Sequence, residues 1–394
     1  MATILFAWEL GDGFGHVTRM RPLALRLKAA GHRPVFAVRS VPNGHTLLAA
    51  HGIPVLQAPH LTPRVPPELE GKPIGTYGDI IATVGFDDEE RLAAMVAAWE
   101  ALIALVEPAL IVTDFCPTLA LATYPGERVV ALGDGFTLPP HHLPQFPLLR
   151  DSGPRVPEAE TLARVQALQR RRGRPLPPAM PAILAAEGSF VISLPEMDKY
   201  AAERPGAAIG PMEPLPAPLP PIAPGEEADA FFAYLSWGFP GTRKALEGLA
   251  ASGRKGSVFL RDAPPAVIQE WRGRGLTVFD RPQPMVEAAR RARCVVHHGG
   301  LGTTETVLAL GRPQLLVPRH YEQQMNLSIV AGLACAVGML GGGRFQPGHL
   351  QQALNAVTTV PKFAARAQAV AAGLAARGPT RALDIIAEWC LKRL

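Results

Sequence analysis

The stretch CVVHHGGLGTTETVLALGRPQLLVPRHYEQQMN, from Cys294 to Asn326, decides the predicted fold. Its first three residues are apolar and two of them are β-branched, which predicts a buried parallel strand. Three glycines follow within residues 299–302, and residues 303–310 have a helical pattern that Gly311 is placed to end. A strand, a glycine-rich turn and a helix N-terminus together predict an anion site. Glycines let backbone N–H groups approach a phosphate, and the first helical turn carries unpaired amides.

Polar side chains follow this turn at fixed offsets. Glu305 lies inside the helix, and a second strand over Gln314–Val317 ends before Glu322 and Gln323. Carboxylate and amide groups beyond the carboxyl end of a strand suit ligands rich in hydroxyl groups, because open α/β sheets bind ligands at that edge. Each prediction has a structural alternative. The glycine-rich turn could bind no ligand, and Glu305 could lie on an exposed helix surface.

At these residues the chain resembles the donor-binding signature of the family 1, UDP-glycosyltransferase-like enzymes of the GT-B fold. The resemblance implies phosphate contacts from His297 and Thr303, ribose hydroxyls on Glu305, and sugar hydroxyls on Glu322 and Gln323. It is specific over the opening stretch and looser elsewhere. The donor set that it implies is completed by Gly238, Gln283, Gly300 and Gly302.

Two positions depart from the family pattern. The family has a glycine-serine turn where this chain has Gly238-Phe239-Pro240, so the side-chain hydroxyl is lost unless Thr242 supplies it. Before the Pro-Gln pair, the family stacks the nucleotide base on an aromatic residue, but Asp280 occupies that position here, with Phe279 beside it. The motif therefore leaves the identity of the nucleotide base open. Because Glu305 is expected to bind ribose hydroxyls, we expect a ribonucleotide donor, UDP above all.

The first half opens with a strand over Thr3–Trp8, a loop with three glycines, a helix over Val17–Ala30 and a strand over Pro34–Val38. This βαβ unit predicts a parallel, doubly wound sheet. Position 16 is His where the dinucleotide fingerprint has its third glycine, and no acidic residue ends the second strand, which disfavours a nicotinamide cofactor. We predict an α/β fold of two Rossmann-like doubly wound domains, which in the GT-B fold face each other across a cleft.

His16 is the predicted catalytic base. It begins a helix at the rim of the first strand, where the positive helix end favours the neutral imidazole that takes a hydroxyl proton. Gly15-His16 also matches the element that carries the catalytic His of the family. The resemblance also implies an Asp that orients the imidazole, and Asp114, at the end of a predicted strand over Ala109–Thr113, is the residue that matches it. The alternatives are that His16 caps its own helix or binds phosphate, and that Asp114 caps the helix after Pro117.

The acceptor site is predicted from the residue after Asp114 and from the Pro-rich loop after a strand over Arg128–Leu132. Loops at the rim of a sheet carry specificity, and this one is rich in aromatic and imidazole side chains that suit an apolar pocket. Each side chain taken singly is equally consistent with packing. The predicted acceptor residues are Phe115, Phe136, His141, His142 and Phe146.

The predicted organisation has four parts. Residues 1–204 form the acceptor-binding domain, which ends with a strand over Phe190–Leu194, and residues 205–228 form a Pro-rich, extended linker. Residues 229–378 form the donor-binding domain. Residues 379–394 form an amphipathic helix that, by the resemblance, packs back on the first domain.

Bulk properties limit the remaining classes. The 394 residues are 48% hydrophobic, with a net charge of +5 and a pI near 9.2, which suits an anionic substrate or a membrane surface and does not require nucleic acid. A peripheral membrane contact by the arginines of residues 170–174 stays open. The four cysteines have no metal-binding or disulfide spacing, and no signal peptide or membrane-spanning run is visible, so we expect a cytoplasmic protein.

Together these features predict an inverting, metal-independent transfer of a sugar from a nucleoside-diphosphate sugar to a hydroxyl of a small or lipid-like acceptor. No D-x-D pair suggests a metal-bridged diphosphate, and no cofactor beyond the sugar nucleotide is expected. One alternative is a sugar-nucleotide hydrolase or epimerase of similar fold, because Gly13, Gly15, His16 and Arg19 match a G-x-G-H-x-x-R opening. A non-catalytic sugar-nucleotide binder is the other alternative.

Overall fold

The structure, a computed structural model, describes residues 1–65, 69–223, 226 and 228–394. These residues form two compact units. Unit 1 comprises Met1–Glu213 and Thr380–Leu394, and unit 2 comprises Pro214–Pro379. Residues 224, 225 and 227 of the predicted linker lie outside the described residues.

Unit 1 is built on a parallel six-stranded sheet of order β3-β2-β1-β4-β5-β6. β1 lies at its centre, and its side chains from Ile4 to Trp8 are completely buried because helices cover both faces of a parallel sheet. The elements in chain order are β1 (Thr3–Trp8), α1 (Gly15–Ala29), β2 (Arg33–Val38), α2 (Val41–Leu48), β3 (Val55–Gln57), α3 (Tyr77–Ile81), α4 (Glu89–Val106), β4 (Leu110–Asp114), α5 (Pro117–Thr123), β5 (Val129–Gly133), α6 (Glu158–Arg171) and β6 (Gly188–Val191).

Unit 2 has a second parallel six-stranded sheet, of order β12-β11-β10-β7-β8-β9. Counted from its own first strand, this is the strand order of unit 1. The elements are β7 (Phe231–Ser236), α7 (Gly241–Ala251), β8 (Gly256–Arg261), α8 (Pro265–Gly273), β9 (Thr277–Phe279), α9 (Met285–Arg290), β10 (Val295–His297), α10 (Leu301–Leu310), β11 (Gln314–Leu316), α11 (Tyr321–Gly332), β12 (Ala336–Gly338), α12 (Pro347–Thr359) and α13 (Pro361–Ala376).

The last helix, α14 (Ala382–Leu391), belongs to unit 1, where it packs on α1. Its apolar face supplies Ile386 and Cys390 to the same core cluster as Val17 and Leu23 of α1. The chain enters this helix through Thr380, whose hydroxyl donates to the Pro211 carbonyl oxygen at 2.6 Å.

The predicted linker is more ordered than a free spacer. Met212 is buried in the core of unit 1. Leu219 is buried in unit 2, and its backbone N–H donates to the Leu310 carbonyl at 3.2 Å. The Arg312 guanidinium also donates to the Pro220 carbonyl at 3.0 Å. Apolar side chains within the Pro-rich run are buried, so the described residues of the predicted linker belong to the two units. In the sequence, unit 1 ends here at Glu213 and unit 2 begins at Pro214.

The strand at the end of the first half is displaced from its predicted position. β6 covers Gly188–Val191, whereas the sequence predicted Phe190–Leu194. β6 needs Gly188 because an added Cβ there would meet the Trp389 ring at 2.7 Å. Among the described residues, no helix is long and apolar enough to cross a membrane.

A core substitution in α14 tests whether this helix is part of the folded unit 1. Ile386 is fully buried, so Ile386→Ala should lower the free energy of unfolding by about 2–5 kcal/mol. The neighbouring Ile385 is 39% exposed, and Ile385→Ala should change the same free energy by less than about 0.5 kcal/mol. Urea unfolding followed by tryptophan fluorescence measures both. Equal effects of the two substitutions would show that the helix does not pack as described.

Candidate active site

The site in unit 1 lies where the strand order reverses. β1 pairs with β2 on one side and with β4 on the other, and the register sets Trp8 opposite Asp114. The loops that leave β1 and β4 therefore diverge from neighbouring points at the carboxyl edge of the sheet. Open α/β sheets bind ligands at such a topological switch point.

His16 and Asp114 meet at this point. His16 Nδ1 lies 3.0 Å from Asp114 Oδ2, and both residues are buried. A carboxylate accepts hydrogen bonds, so in the neutral ring Nδ1 carries the proton and Nε2 has the lone pair. His16 does not cap α1, because Phe14 is the N-cap residue and no side-chain cap is present. Asp114 does not cap α5 either, because Cys116 is the N-cap residue of that helix, no side-chain cap is present, and Asp114 Oδ1 has no hydrogen-bond partner among the described residues.

Two neighbours constrain the His16 ring. It stacks on the Trp8 indole with ring centroids 5.1 Å apart and an angle of 19° between the planes. Gly11 lies close to His16 Nε2: its φ is +93°, and an added Cβ there would lie 2.4 Å from that nitrogen. The loop therefore requires glycine at position 11 for its backbone conformation and for the space that it leaves to the imidazole.

Glu9 holds the turn that carries Asp114, a role that the sequence did not indicate. α5 begins without a side-chain cap from its own N-cap residue, Cys116. Glu9 Oε2 instead accepts a hydrogen bond from the Thr118 backbone N–H at 3.1 Å. Burial raises the pKa of Glu9 to about 7 against the opposing hydrogen bonds from Thr118. Its position directly after an apolar strand was the available signal, since a buried carboxyl at a strand end needs a partner.

Arg19 joins the dyad to a second buried carboxylate. Its Nε lies 3.6 Å from Asp114 Oδ2, and its Nη1 donates to Asp134 Oδ2 at 3.0 Å. Asp134 Oδ1 accepts the backbone N–H groups of Phe136 and Thr137, each at 2.8 Å. His16, Asp114 and the turn after β5 thus belong to one hydrogen-bonded and ionic network.

Three of the predicted acceptor residues come together around Tyr77. The Tyr77 ring centroid lies 5.8 Å from that of Phe115 and 5.0 Å from that of Phe146, and Phe115 lies 6.2 Å from Phe136. All four side chains are buried, so they form an aromatic interior next to His16, and the acceptor role of the three phenylalanines stays a prediction. Phe115 connects this cluster to His16, with ring centroids 6.1 Å apart.

Sequence reasoning missed Tyr77, which begins α3. The available signal was Thr76 and Asp79, whose spacing is that of a capping box and marks a helix start. In the structure the Thr76 hydroxyl accepts from Asp79 N at 3.3 Å, and Asp79 Oδ2 accepts from Thr76 N at 3.0 Å.

The remaining two acceptor candidates contact each other. The His141 and His142 rings lie 6.2 Å apart in an edge-to-face arrangement. His142 is exposed and His141 is half-buried. Burial, with the nearby His142 and Arg204 charges, lowers the pKa of His141.

In unit 2 the glycine-rich turn occupies the equivalent switch point, between β10 and α10. Gly299 has φ +88°, and an added Cβ would meet Leu316 Cδ2 at 2.8 Å and the Gln323 carbonyl oxygen at 3.1 Å. The Asn326 amide donates to the Gly299 carbonyl at 2.9 Å. α11 thereby holds the turn in place, and only glycine fits at position 299 without rearrangement.

Both histidines at the end of β10 are engaged within unit 2, which corrects the phosphate role predicted for His297. His297 Nε2 lies 2.8 Å from Gln314 Oε1, and His297 Nδ1 accepts from Gly299 N at 3.0 Å. Burial lowers the pKa of His297 to about 4 against the Gln314 hydrogen bond, so the ring is neutral. With both nitrogens engaged, His297 orders the turn and leaves no ring donor for a phosphate.

His298, which the sequence did not single out, joins three strand ends. Its Nε2 accepts from the Ser236 N–H at 2.8 Å, and its Nδ1 donates to the Val317 carbonyl at 2.8 Å. Burial is the main cause that lowers the pKa of His298 to about 3. The neutral imidazole therefore ties the ends of β7, β10 and β11 together.

The first turn of α10 is open. Gly300 is the N-cap residue, and added Cβ atoms at Gly300 and Gly302 would meet no atom within 4 Å. Thr303 is half-buried in the same turn. Backbone N–H groups here have no acceptor within the helix, so an anion can approach them. Glu305 lies one turn further on and is buried, at 3% exposure.

The other predicted donor residues follow β7, β9 and β11. Gly238 is exposed after β7. Thr242 is fully buried, and its hydroxyl donates to the Ser236 carbonyl at 2.6 Å, so Thr242 does not replace the hydroxyl that the family has in this turn. The Gln283 amide donates to the Arg281 carbonyl at 3.0 Å.

The Glu322–Gln323 pair lies in the first turn of α11. Gln323 is buried, and its Oε1 accepts from the Arg319 N–H at 2.9 Å. Glu322 is half-buried beside it. Among the described residues, no group of three or more His, Cys, Asp or Glu side chains has the geometry of a metal site.

Comparison with protein families matches residues 280–388 to the erythromycin biosynthesis protein CIII-like, C-terminal domain. Among characterised proteins, glycosyltransferase GtfE of Amycolatopsis orientalis is 29% identical over 175 residues, which cover 44% of this chain and 39% of that protein. Glycosyltransferase GtfC of the same organism is 29% identical over 212 residues, covering 47% of this chain and 50% of that protein. The matched stretches thus span at most half of the length of these relatives.

Solved structures match over the full chain. The calicheamicin glycosyltransferase CalG4 covers 100% of this chain with a TM-score of 0.69 and 20% identity, and 99% of that chain is covered. The match to the glycotransferase of kitacinnamycin covers 100% of this chain and 99% of that chain, with a TM-score of 0.67 and 18% identity. The predicted α/β fold is confirmed, and it is that of GT-B glycosyltransferase structures. With the family match and the named relatives, this confirms the resemblance to family 1 glycosyltransferases.

The close approach of Gly11 to His16 gives a structural prediction. Gly11→Ala should displace the imidazole, because the new Cβ would lie 2.4 Å from Nε2 and the backbone has φ +93°. Gly15→Ala is the matched control, since its Cβ would meet nothing within 4 Å. The low-field NMR resonance of the His16 Nδ1 proton reports the hydrogen bond to Asp114. It should be lost or shifted in Gly11→Ala and kept in Gly15→Ala, and an unchanged resonance in Gly11→Ala would contradict the described loop.

Proposed function

We propose that this chain is an inverting, metal-independent glycosyltransferase that moves a sugar from a nucleoside-diphosphate sugar to a hydroxyl of a small or lipophilic acceptor. In this proposal His16 takes the proton of the acceptor hydroxyl as it attacks the anomeric carbon. The bond between the anomeric carbon and the diphosphate oxygen breaks, and its electron pair leaves with the nucleoside diphosphate. Inversion follows from a single displacement at that carbon.

The observation that carries the proposal is the 3.0 Å contact between His16 Nδ1 and Asp114 Oδ2 at the switch point of unit 1. A carboxylate on Nδ1 fixes the tautomer in which Nε2 is the base, and it stabilises the imidazolium after proton uptake. The Trp8 stack and the space at Gly11 keep the ring in this orientation.

The leaving diphosphate is assigned to unit 2. The open amides around Gly300, Gly302 and Thr303 lie at the N-terminus of α10, where the helix dipole favours an anion. Donors fixed before the reaction stabilise developing charge without reorganisation. The proposal assigns the sugar hydroxyls to Glu322 and Gln323. It needs no metal ion, because backbone amides take the role that a D-x-D motif and its metal have elsewhere.

The names of similar proteins support the substrate classes. VinC and SsfS6, at 16% and 18% identity, were solved with thymidine diphosphate, and the spinosyn rhamnosyltransferase SpnG with the spinosyn aglycone. Vancomycin aglycone glucosyltransferase of Amycolatopsis orientalis is 33% identical over 96 residues, 24% of this chain and 23% of that protein. We therefore extend to this chain a nucleoside-diphosphate sugar and an apolar acceptor. For the nucleotide base of the donor we propose uracil. Thymine is the competing possibility, and the nucleotide-binding experiment with Glu305 below separates the two.

Removing the base tests the mechanism. His16→Ala should lower kcat by about 10²–10⁴-fold while calorimetry finds an unchanged affinity for the nucleoside diphosphate. Asp114→Asn should cause a smaller loss, because the imidazole remains but is held less well. His51→Ala is the control, since His51 is exposed in unit 1 after α2.

Assays in EDTA belong to the same series, and activity should persist there. If His16→Ala lowered nucleotide affinity and left kcat unchanged, His16 would be a binding residue and the mechanism would fail. Activity that disappears in EDTA and returns with Mg²⁺ would refute the metal-free part.

Glu305 tests the identity of the donor. If its carboxylate binds ribose hydroxyls, the protein should bind UDP more tightly than dUDP, and Glu305→Ala should remove that preference. Comparison of dUDP with dTDP isolates the effect of the thymine methyl group from that of the 2′-hydroxyl. Glu287→Ala, an exposed glutamate of α9, is the control. Tighter binding of dTDP than of UDP by the wild-type protein would replace uracil with thymine as the donor base.

A further inference from the structure

Arg19 lies between two buried aspartates beside the proposed base. His16 and Arg19 are three residues apart on α1, so their side chains lie on one face of the helix. His16 Nδ1 and Arg19 Nε both approach the same oxygen, Asp114 Oδ2, at 3.0 and 3.6 Å. The other arm of the guanidinium, Nη1, reaches Asp134 Oδ2 at 3.0 Å.

The second aspartate is fixed by the backbone. Asp134 Oδ1 accepts from the N–H groups of Phe136 and Thr137, and the Thr137 hydroxyl accepts from Asp134 N at 3.0 Å. Burial opposes ionisation of Asp134, but Arg19 and these amides outweigh it and hold its pKa below the usual value. Asp134 is therefore a rigid anion that anchors the Arg19 guanidinium.

The net charge of the network around His16 depends on Arg19. The ionisable groups joined to His16 by hydrogen bonds or ion pairs are Asp114 from β4, Asp134 from the turn after β5, and Arg19 from α1 itself, while Glu9 binds the Thr118 N–H of the turn that follows Asp114. With a neutral imidazole their sum is −1, and protonation of His16 brings it to zero. Without Arg19 the sum would be −2, and two buried carboxylates would hold a proton on the imidazole much more strongly.

We propose that Arg19 is a positioning residue that keeps His16 available as a base, by neutralising part of the carboxylate charge that Asp114 and Asp134 direct at the imidazole. The proposal rests on the proposed function for its catalytic meaning and on geometry alone for its electrostatic part. Asp134 holds the Arg19 guanidinium in the position where its charge acts on Asp114 and His16. Arg19 itself touches neither substrate nor the reacting atoms in this scheme.

The direct test is an NMR titration of the His16 ring in the full-length protein, with the resonance assigned from its absence in His16→Ala. Arg19→Gln removes the positive charge, so the protonation midpoint of His16 should rise by about one pH unit or more. Arg19→Lys keeps the charge and should restore a midpoint near that of the wild-type protein. Asp134→Asn removes a negative charge and keeps an oxygen for the two backbone amides, so the midpoint should fall.

Opposite shifts in Arg19→Gln and Asp134→Asn support the proposal, because a merely structural role would not produce them. An unchanged or lower midpoint in Arg19→Gln overturns it. If Arg19→Gln does not give a folded spectrum, the double variant Arg19→Gln/Asp134→Asn, which lacks both charges, is compared with Asp134→Asn: a higher midpoint in the double variant supports the proposal, and an equal or lower one overturns it.

Activity separates this proposal from the proposed function. The acid limb of the kcat/KM profile should move with the NMR midpoint in each variant. If the midpoints shift as expected but the acid limb stays in place, the electrostatic assignment of Arg19 stands and the base role of His16 is wrong.

Discussion

Parallel pairing of β1 with β4, in the register that sets Trp8 opposite Asp114, is the constraint on which the proposed chemistry depends. It brings the end of β4 next to the loop that leads from β1 into α1, so His16 and Asp114, 98 residues apart, share a hydrogen bond. A shift by one residue would turn the Asp114 side chain to the other face of the sheet. Glu9 and Gly11 then refine the position, by holding the Asp114 turn and by leaving space for the imidazole.

The two units share one strand order but present different groups at their switch points. In unit 1 the switch point presents ionisable side chains, in a buried network where Arg19 pairs with two aspartates. In unit 2 it presents backbone amides, and the histidines beside them are neutral and engaged in structural hydrogen bonds. This division suits a transfer reaction, since proton removal needs a titratable group and a leaving diphosphate needs fixed donors that keep their charge state.

Much of this was predictable from sequence where the signal is local. The glycine-rich turn, α10 and the βαβ opening have strong patterns, and the predicted fold class is confirmed. The edge strands β3 and β12 were missed because they are only partly buried and lack the apolar run that marked the equally short but fully buried β10 and β11. The roles of His297 and His298 could not be read, since both depend on partners from neighbouring strands, Gln314 and Ser236. For the same reason the contacts of Arg19 with two distant aspartates required the folded sheet.

Product analysis of the wild-type protein tests the central claim most directly. Mass spectrometry and NMR would follow a panel of UDP- and dTDP-sugars, each incubated with and without hydroxylated apolar acceptors. The account predicts a glycosylated acceptor whose anomeric configuration is opposite to that of the donor, with little free sugar when acceptor is absent. Rapid release of free sugar without acceptor, unaffected by any acceptor, would contradict it and identify a hydrolase. A product that retains the configuration of the donor would contradict the single displacement at which His16 acts as base.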